Sequence, residues 1–171
     1  MKKIFLLLAV VAGMAFTSCD GDPGPQGPQG EPGYTAEAQV YELENVNFVA
    51  PSFGIFFTFP RQILASDHVL VYRLSGIENG RDVWQLLPQD YFFPDGTRDF
   101  SYNYDFTQND VNVYINGNDL GSLDNQFRIN QILRFVSVPG YFAKSVDVKK
   151  YEDVTTALKL TDADFKKASA N

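Results

Sequence analysis

Phe100-Ser101-Tyr102-Asn103-Tyr104-Asp105-Phe106 alternates strictly between aromatic and polar residues. Successive side chains on a strand point to opposite faces, so this pattern puts four aromatic rings on one face and Ser101, Asn103 and Asp105 on the other. It describes a half-buried antiparallel strand. Working outward, Val111, Val113 and Ile115 repeat the pattern and stop at Asn116-Gly117. On the other side, Tyr91-Phe92-Phe93 leads into the turn Pro94-Asp95-Gly96. His68 to Leu74 is apolar on both faces, as a central covered strand would be. Asn79-Gly80 marks a tight turn where positive φ is cheap, and Val83 to Leu87 returns from it, so residues 68 to 87 read as a hairpin. Val40 to Phe48 and Gly54 to Phe59 supply two more strands, the second stopped by Pro60.

Gln126 to Val138 reads as one long strand, with Phe127, Ile129, Leu133 and Phe135 on one face and Arg128, Asn130 and Arg134 on the other. Ile132, Val136 and Val138 break the polar face, so its far end is expected to be covered. Pro139-Gly140 ends it. About seven short strands with frequent turn signals predict a mainly β fold: an antiparallel sandwich or open barrel over residues 36–140. The tail, 141–171, differs. Val148, Tyr151, Val154 and Leu158 recur at roughly helical spacing, and Thr161 to Asp164 reads as a capping box before Phe165 and Lys166-Lys167. One or two short helices are expected there, with Tyr151, Leu158 and Phe165 packed on the sheet.

Of 171 residues, 15 are Phe, 9 are Tyr and one is Trp, and this aromatic content favours strands over helices. The formal net charge of −7 argues against nucleic acid as a partner, because phosphates need basic patches. It also argues against adhesion to anionic lipid through a basic surface. A single cysteine, Cys19, leaves no intramolecular disulfide, so the core must hold the fold.

Lys2-Lys3 precedes the apolar run Ile4 to Ala15, which is shorter than the roughly 20 residues a membrane span requires. With Phe16-Thr17-Ser18-Cys19 as a lipobox, the segment 1–18 resembles a bacterial lipoprotein signal. The resemblance implies cleavage between Ser18 and Cys19, and a diacylglycerol plus an N-acyl chain on Cys19. Loss of Lys2 and Lys3 with the signal makes the chain two charges more negative. Several acyl chains are what stable anchoring takes. Residues 19–35 then carry Gly21, Gly24, Gly27, Gly30 and Gly33 at a period of three, as a collagen helix demands. So few triplets favour a single-chain polyproline-II spacer over a homotrimeric stalk. At ~3.1 Å per residue, Gly21 to Pro32 would reach roughly 37 Å. Asp20 and Asp22 follow the cysteine. In some Gram-negative bacteria such acids retain a lipoprotein in the inner membrane, and in others they resemble a surface-export signal. A spacer is most useful outside, so the expected location is the outer membrane with the domain facing outward.

As a whole, the chain resembles small bacterial lipoproteins with collagen-like repeats. They join a lipobox and a few Gly-X-Y triplets to an aromatic-rich β domain with segments like Val69-Leu70-Val71-Tyr72-Arg73-Leu74 and Val83-Trp84-Gln85-Leu86-Leu87-Pro88. The resemblance implies architecture and location. It brings no catalytic residues.

Catalytic chemistry has little support in the residues. His68 is the only histidine and follows Ser66-Asp67, but neighbours on a strand face opposite ways and no nucleophile elbow is present. One histidine without a free cysteine makes a poor zinc site. Glu42 and Glu44 share a strand face and read as a solvated edge rather than as a glycosidase pair. Asn116, Asn118, Asp119 and Asp124 cluster oxygen atoms as weak calcium candidates, although they lack EF-hand spacing and include good turn formers. No resident cofactor is expected. Three consecutive aromatics cannot all point inward on a strand, so Tyr91, Phe92 and Phe93 are the candidate surface for a glycan or protein ligand. The expected function is therefore a non-enzymatic, lipid-anchored envelope protein presenting a β-rich interaction or structural domain. The alternatives are a carbohydrate- or peptide-binding lipoprotein of an uptake system and, with least support, a hydrolase.

Overall fold

Strand alternation builds two sheets. The computed structural model describes residues 38–140, 142 and 146–170. The described residues all belong to one compact unit. The signal segment, Cys19 and the five repeat glycines lie outside the described residues.

Strands β1 (Val40–Val46), β3 (His68–Glu78), β4 (Arg81–Leu86), β8 (Gln131–Val138) and β9 (Lys166–Ala168) form a sheet in the order β4-β3-β8-β1-β9. Strands β2 (Gly54–Thr58), β5 (Gln89–Phe92), β6 (Arg98–Phe106) and β7 (Asp110–Gly117) form a second, in the order β2-β7-β6-β5. Pairing is antiparallel except between β9 and β1, which are parallel. The two sheets face each other as an open sandwich, as the sequence predicts. Asn79 (φ 51°) and Gly80 (φ 76°) make the β3–β4 turn, both in the left-handed region that a two-residue hairpin requires.

The interior between the sheets is aromatic. Leu43, Val69, Val71, Leu133 and Phe135 come from one sheet; Phe57, Phe100, Tyr102, Val111, Val113 and Ile115 come from the other. The alternation of β6 holds through Tyr104, whose hydroxyl donates to the Val69 carbonyl at 3.0 Å. Phe106, at the strand's end, is 37% exposed and meets the His68 ring edge-on. Arg73 also points inward and is 4% exposed, without a carboxylate partner among the described residues. Its Nε donates to Gln131 Oε1 at 2.9 Å, its Nη1 reaches the Tyr91 hydroxyl at 3.3 Å, and its guanidinium lies 4.5 Å from the Tyr102 ring centre. Neutral acceptors and a π face thus hold this charge.

Three sequence expectations need correction. Residues 126–138 are not one strand: Asn125–Arg128 form a one-turn helix, α1, before β8 begins. Asp124 caps it by accepting the Gln126 amide at 2.9 Å, and Asn130 (φ 55°) breaks the extended backbone. Phe127 still reaches the core, from the helix. In the tail, helix α2 (Tyr151–Leu158) forms as expected. The capping box at Thr161–Asp164 also forms, but it starts only a 3-10 turn, and the chain then enters β9. Burial of Phe165 and the open edge of β1 draw the backbone into the sheet. Lastly, Glu42 does not lie on a solvated edge; it is 6% exposed, beside Arg134 at 5%.

Candidate binding face

The two outer faces of the sandwich differ. On the five-stranded sheet, Val40, Leu70, Tyr72, Val136 and Val138 form a second apolar cluster with Val154 of α2, Phe142 and Phe165. The tail is held by charge. Arg134 Nε donates to Glu42 Oε2 at 2.7 Å, and Nη1 donates to the Tyr151 hydroxyl and to Asp162 Oδ1, the latter at 2.9 Å. The guanidinium lies 4.2 Å from the Trp84 ring centre and 4.3 Å from that of Phe165. Lys167 donates to both Glu42 and Glu44. Burial alone would raise the Glu42 pKa, but the hydrogen bonds from Lys167 and Arg134 outweigh it and hold the carboxyl below its usual range. Five segments therefore meet at one guanidinium, which fastens the tail across the middle of this face; grooves of about 680 Å³, beside Leu158 to Leu160, and about 550 Å³, beside Trp84 and Lys150, remain along its edges.

The outer face of the four-stranded sheet carries no such cover: among the described residues, no helix packs on it. The register fixes what it displays. Gly54 pairs with Tyr114, and Tyr114 with Asn103. Phe56 pairs with Asn112, and Asn112 with Asp105. Asn116 pairs with Ser101, and Ser101 with Asp90. These same-face positions form three rows across the sheet. A depression of about 690 Å³ lies on it, walled by Phe56, Tyr114, Asn112, Asn116 and Asp105 and rimmed by Asn47 and Ser52 of the loop after β1. That volume is in the range of ligand sites.

Several groups here are open to a partner. Phe56 is 43% exposed. The Tyr114 hydroxyl and the Asn116 amide make no hydrogen bond to a described residue. Asn112 Nδ2 donates to Asp105 Oδ2 at 3.4 Å, and Asn103 Nδ2 donates to Ser101 Oγ at 2.8 Å, leaving both amide oxygens as acceptors. Gly54 keeps the floor low, because a Cβ there would sit 3.3 Å from both Tyr114 Cβ and the Val113 carbonyl oxygen.

The residues singled out from sequence lie elsewhere. Tyr91 turns inward, stacked on Phe100 with ring centres 4.4 Å apart, and its hydroxyl serves Arg73 and Gln89. Phe92 and Phe93 do reach solvent, at 61% and 50% exposure, beside the Phe93–Thr97 turn. The depression's lining includes none of the three. Among the calcium candidates, Asp124 caps α1, and Asn118 and Asp119 belong to the exposed loop after β7, while Asn116 lines the depression. Among the described residues no three His, Cys, Asp or Glu side chains are grouped to hold a metal ion. His68 opens β3, and Asp67 accepts the Leu64 amide at 3.0 Å as a turn cap. Compared with known protein families, curated proteins and solved structures, the chain matches none.

Sequence reading missed Phe56 and Tyr114. The signal was present in both strands. In Gly54 to Phe59, alternation must turn every second apolar residue outward. In Asp110 to Asn116, Tyr114 shares the parity of Asn112 rather than that of Val113.

Proposed function

We propose that this chain is a non-catalytic, lipid-anchored envelope protein whose β-sandwich is a binding domain, with the outer face of the four-stranded sheet turned to its partner. The carrying observation is the asymmetry of the two faces. One is largely covered by α2, β9 and the Arg134 cluster, with grooves left only along the edges of the tail; the other leaves two aromatic rings and several amide groups around a depression on rigid strands. Rigid elements hold binding groups more exactingly than loops do. Support for the anchor comes from the amino terminus: the lipobox ending at Cys19, followed by a Gly-X-Y spacer that sets the domain away from the membrane. On this reading the protein sits in the outer membrane facing outward, as a monomer or a trimer through the spacer.

The anchor is tested by labelling with radioactive palmitate in a Gram-negative host. Label should enter the wild-type chain and be absent from Cys19→Ala, which should leave the membrane fraction. Label retained in the variant would remove the anchor. Protease shaving of intact cells tests the facing: loss of the domain places it outside, and full protection would overturn that part.

A further inference from the structure

We infer that the depression on the four-stranded sheet binds a neutral carbohydrate chain, with sugar rings stacked on Phe56 and Tyr114 and hydroxyls bound by Asn112, Asn103, Asn116 and Asp105. This rests on the proposal that this face is the binding surface, and it names the ligand class.

Three features select that class. The first is ring placement. Phe56 and Tyr114 lie on adjacent strands, one same-face step apart, because Phe56 pairs with Asn112 while Tyr114 pairs with Gly54. Diagonal neighbours of this kind sit about 7–8 Å apart, close enough for both rings to border one depression. Gly54 opposite Tyr114 adds no side chain, so one flank of the Tyr114 ring stays open. A sugar presents a C–H face that suits such a rigid aromatic surface.

The second is the polar complement. A sugar hydroxyl is at once a donor and an acceptor, and its best partners are amides and carboxylates. Asn112 and Asn116 supply amides in the depression, Asn103 lies beside them in the Tyr114 row, and Asp105 supplies a carboxylate oxygen not bonded to Asn112. These groups are fixed by strand register, so little ordering is needed on binding.

The third is charge. The lining contains Asp105 and no Lys or Arg, in a chain of net charge −7. A phosphorylated, sulfated or uronate-rich polymer would meet repulsion there. A protein partner would also look for a larger apolar centre than Phe56 and Tyr114 offer.

The test is gel retardation of the purified full chain in native gels containing neutral polysaccharides (a β-glucan, a mannan, a xylan, a galactomannan) or anionic ones (polygalacturonate, a sulfated glycan). At least one neutral polymer should retard the chain, with little change between low and high salt. Phe56→Ala and Tyr114→Ala should each weaken retention about ten-fold, while Phe92→Ala, exposed but outside the depression, should match wild type. Asn112→Ala, which removes no ring from the face, should weaken it several-fold and guards against misfolding of the Tyr114 variant. Retardation only by anionic polymers, by none of the panel, or equally in wild type and all four variants overturns the inference. A parallel assay separates the two readings: binding of the same chains to isolated cell envelopes, each carrying Cys19→Ala as well so that no acyl chain contributes. If Phe56→Ala and Tyr114→Ala lose envelope binding while no neutral polymer is retained, the ligand class falls and the surface stands. If they bind envelopes like wild type, the surface itself falls.

Discussion

Glu42→Gln isolates the electrostatic part of the tail's attachment. The substitution keeps the shape and an acceptor oxygen but removes the charge that pairs with Arg134. Two ion pairs are affected, and they differ in weight. Lys167 is 63% exposed on its side chain, so its pair with Glu42 is screened and worth under about 1 kcal/mol. The Arg134 pair has both side chains under a tenth exposed and a 2.7 Å contact. A charge-assisted buried bond of this kind contributes about 1.5–3 kcal/mol, and removing its partner leaves Arg134 with Asp162, which is exposed, and the Tyr151 hydroxyl. We expect Glu42→Gln to lower unfolding free energy by about 2–3 kcal/mol at neutral pH, and Lys167→Ala by less than about 1 kcal/mol. The pH dependence has a definite sign. The folded Glu42 carboxyl is held below its usual pKa, so its stabilisation is complete above the unfolded value, near ~4.3, and is lost as pH falls through the folded value. The gap between wild type and Glu42→Gln should be constant from about pH 8 to 6 and begin to shrink below about pH 4. Urea unfolding followed by the fluorescence of Trp84 measures this directly, because the single tryptophan stacks on Arg134. A gap below about 0.5 kcal/mol, or one that does not change with pH, would refute the reasoning.

Phe165→Ala should destabilise by about 3–4 kcal/mol in the same assay, because the ring is buried between α2 and the sheet and also stacks on Arg134. Gly140→Ala should cost on the order of 1–3 kcal/mol, since its Cβ would fall 2.3 Å from the Ser66 carbonyl oxygen and the backbone would have to move; thermal melts would show it. Phe93→Ala should stay within about 0.5 kcal/mol of wild type and leave polysaccharide retention unchanged, because the ring is half exposed and outside the depression.

The sandwich was legible in sequence wherever one face of a strand is buried and the other solvated. Phe100 to Phe106 and Val111 to Ile115 are such strands, and Asn79-Gly80 fixed the hairpin by turn chemistry. Legibility failed where two periods coincide. Phe127 and Ile129 alternate like a strand, yet Asp124 and Asn130 enclose one helical turn, and cap geometry outweighs four residues of pattern. It failed again at Lys166–Ala168, a strand set by a distant edge, because nothing local encodes pairing with Tyr41–Leu43. Glu42 reads as solvent-facing because alternation reports which face a residue takes and not what later covers that face. The candidate binding face is hidden for the converse reason. Phe56 lies inside the apolar run Gly54 to Phe59 and Tyr114 between Val113 and Ile115, so neither stands out by type, whereas Tyr91 draws notice as part of an aromatic triplet and is internal.

The central claim is that a neutral glycan occupies the outer face of the four-stranded sheet. Its most direct test is a map of backbone amide chemical shifts during titration with a soluble oligosaccharide from the neutral polymer that retards the chain. The account predicts shifts concentrated at Gly54 to Phe56, Asn103 to Asp105 and Asn112 to Asn116, with α2 and β9 silent. Shifts centred on Tyr91 to Phe93, on the tail-covered face around Arg134, or spread without a focus would contradict it.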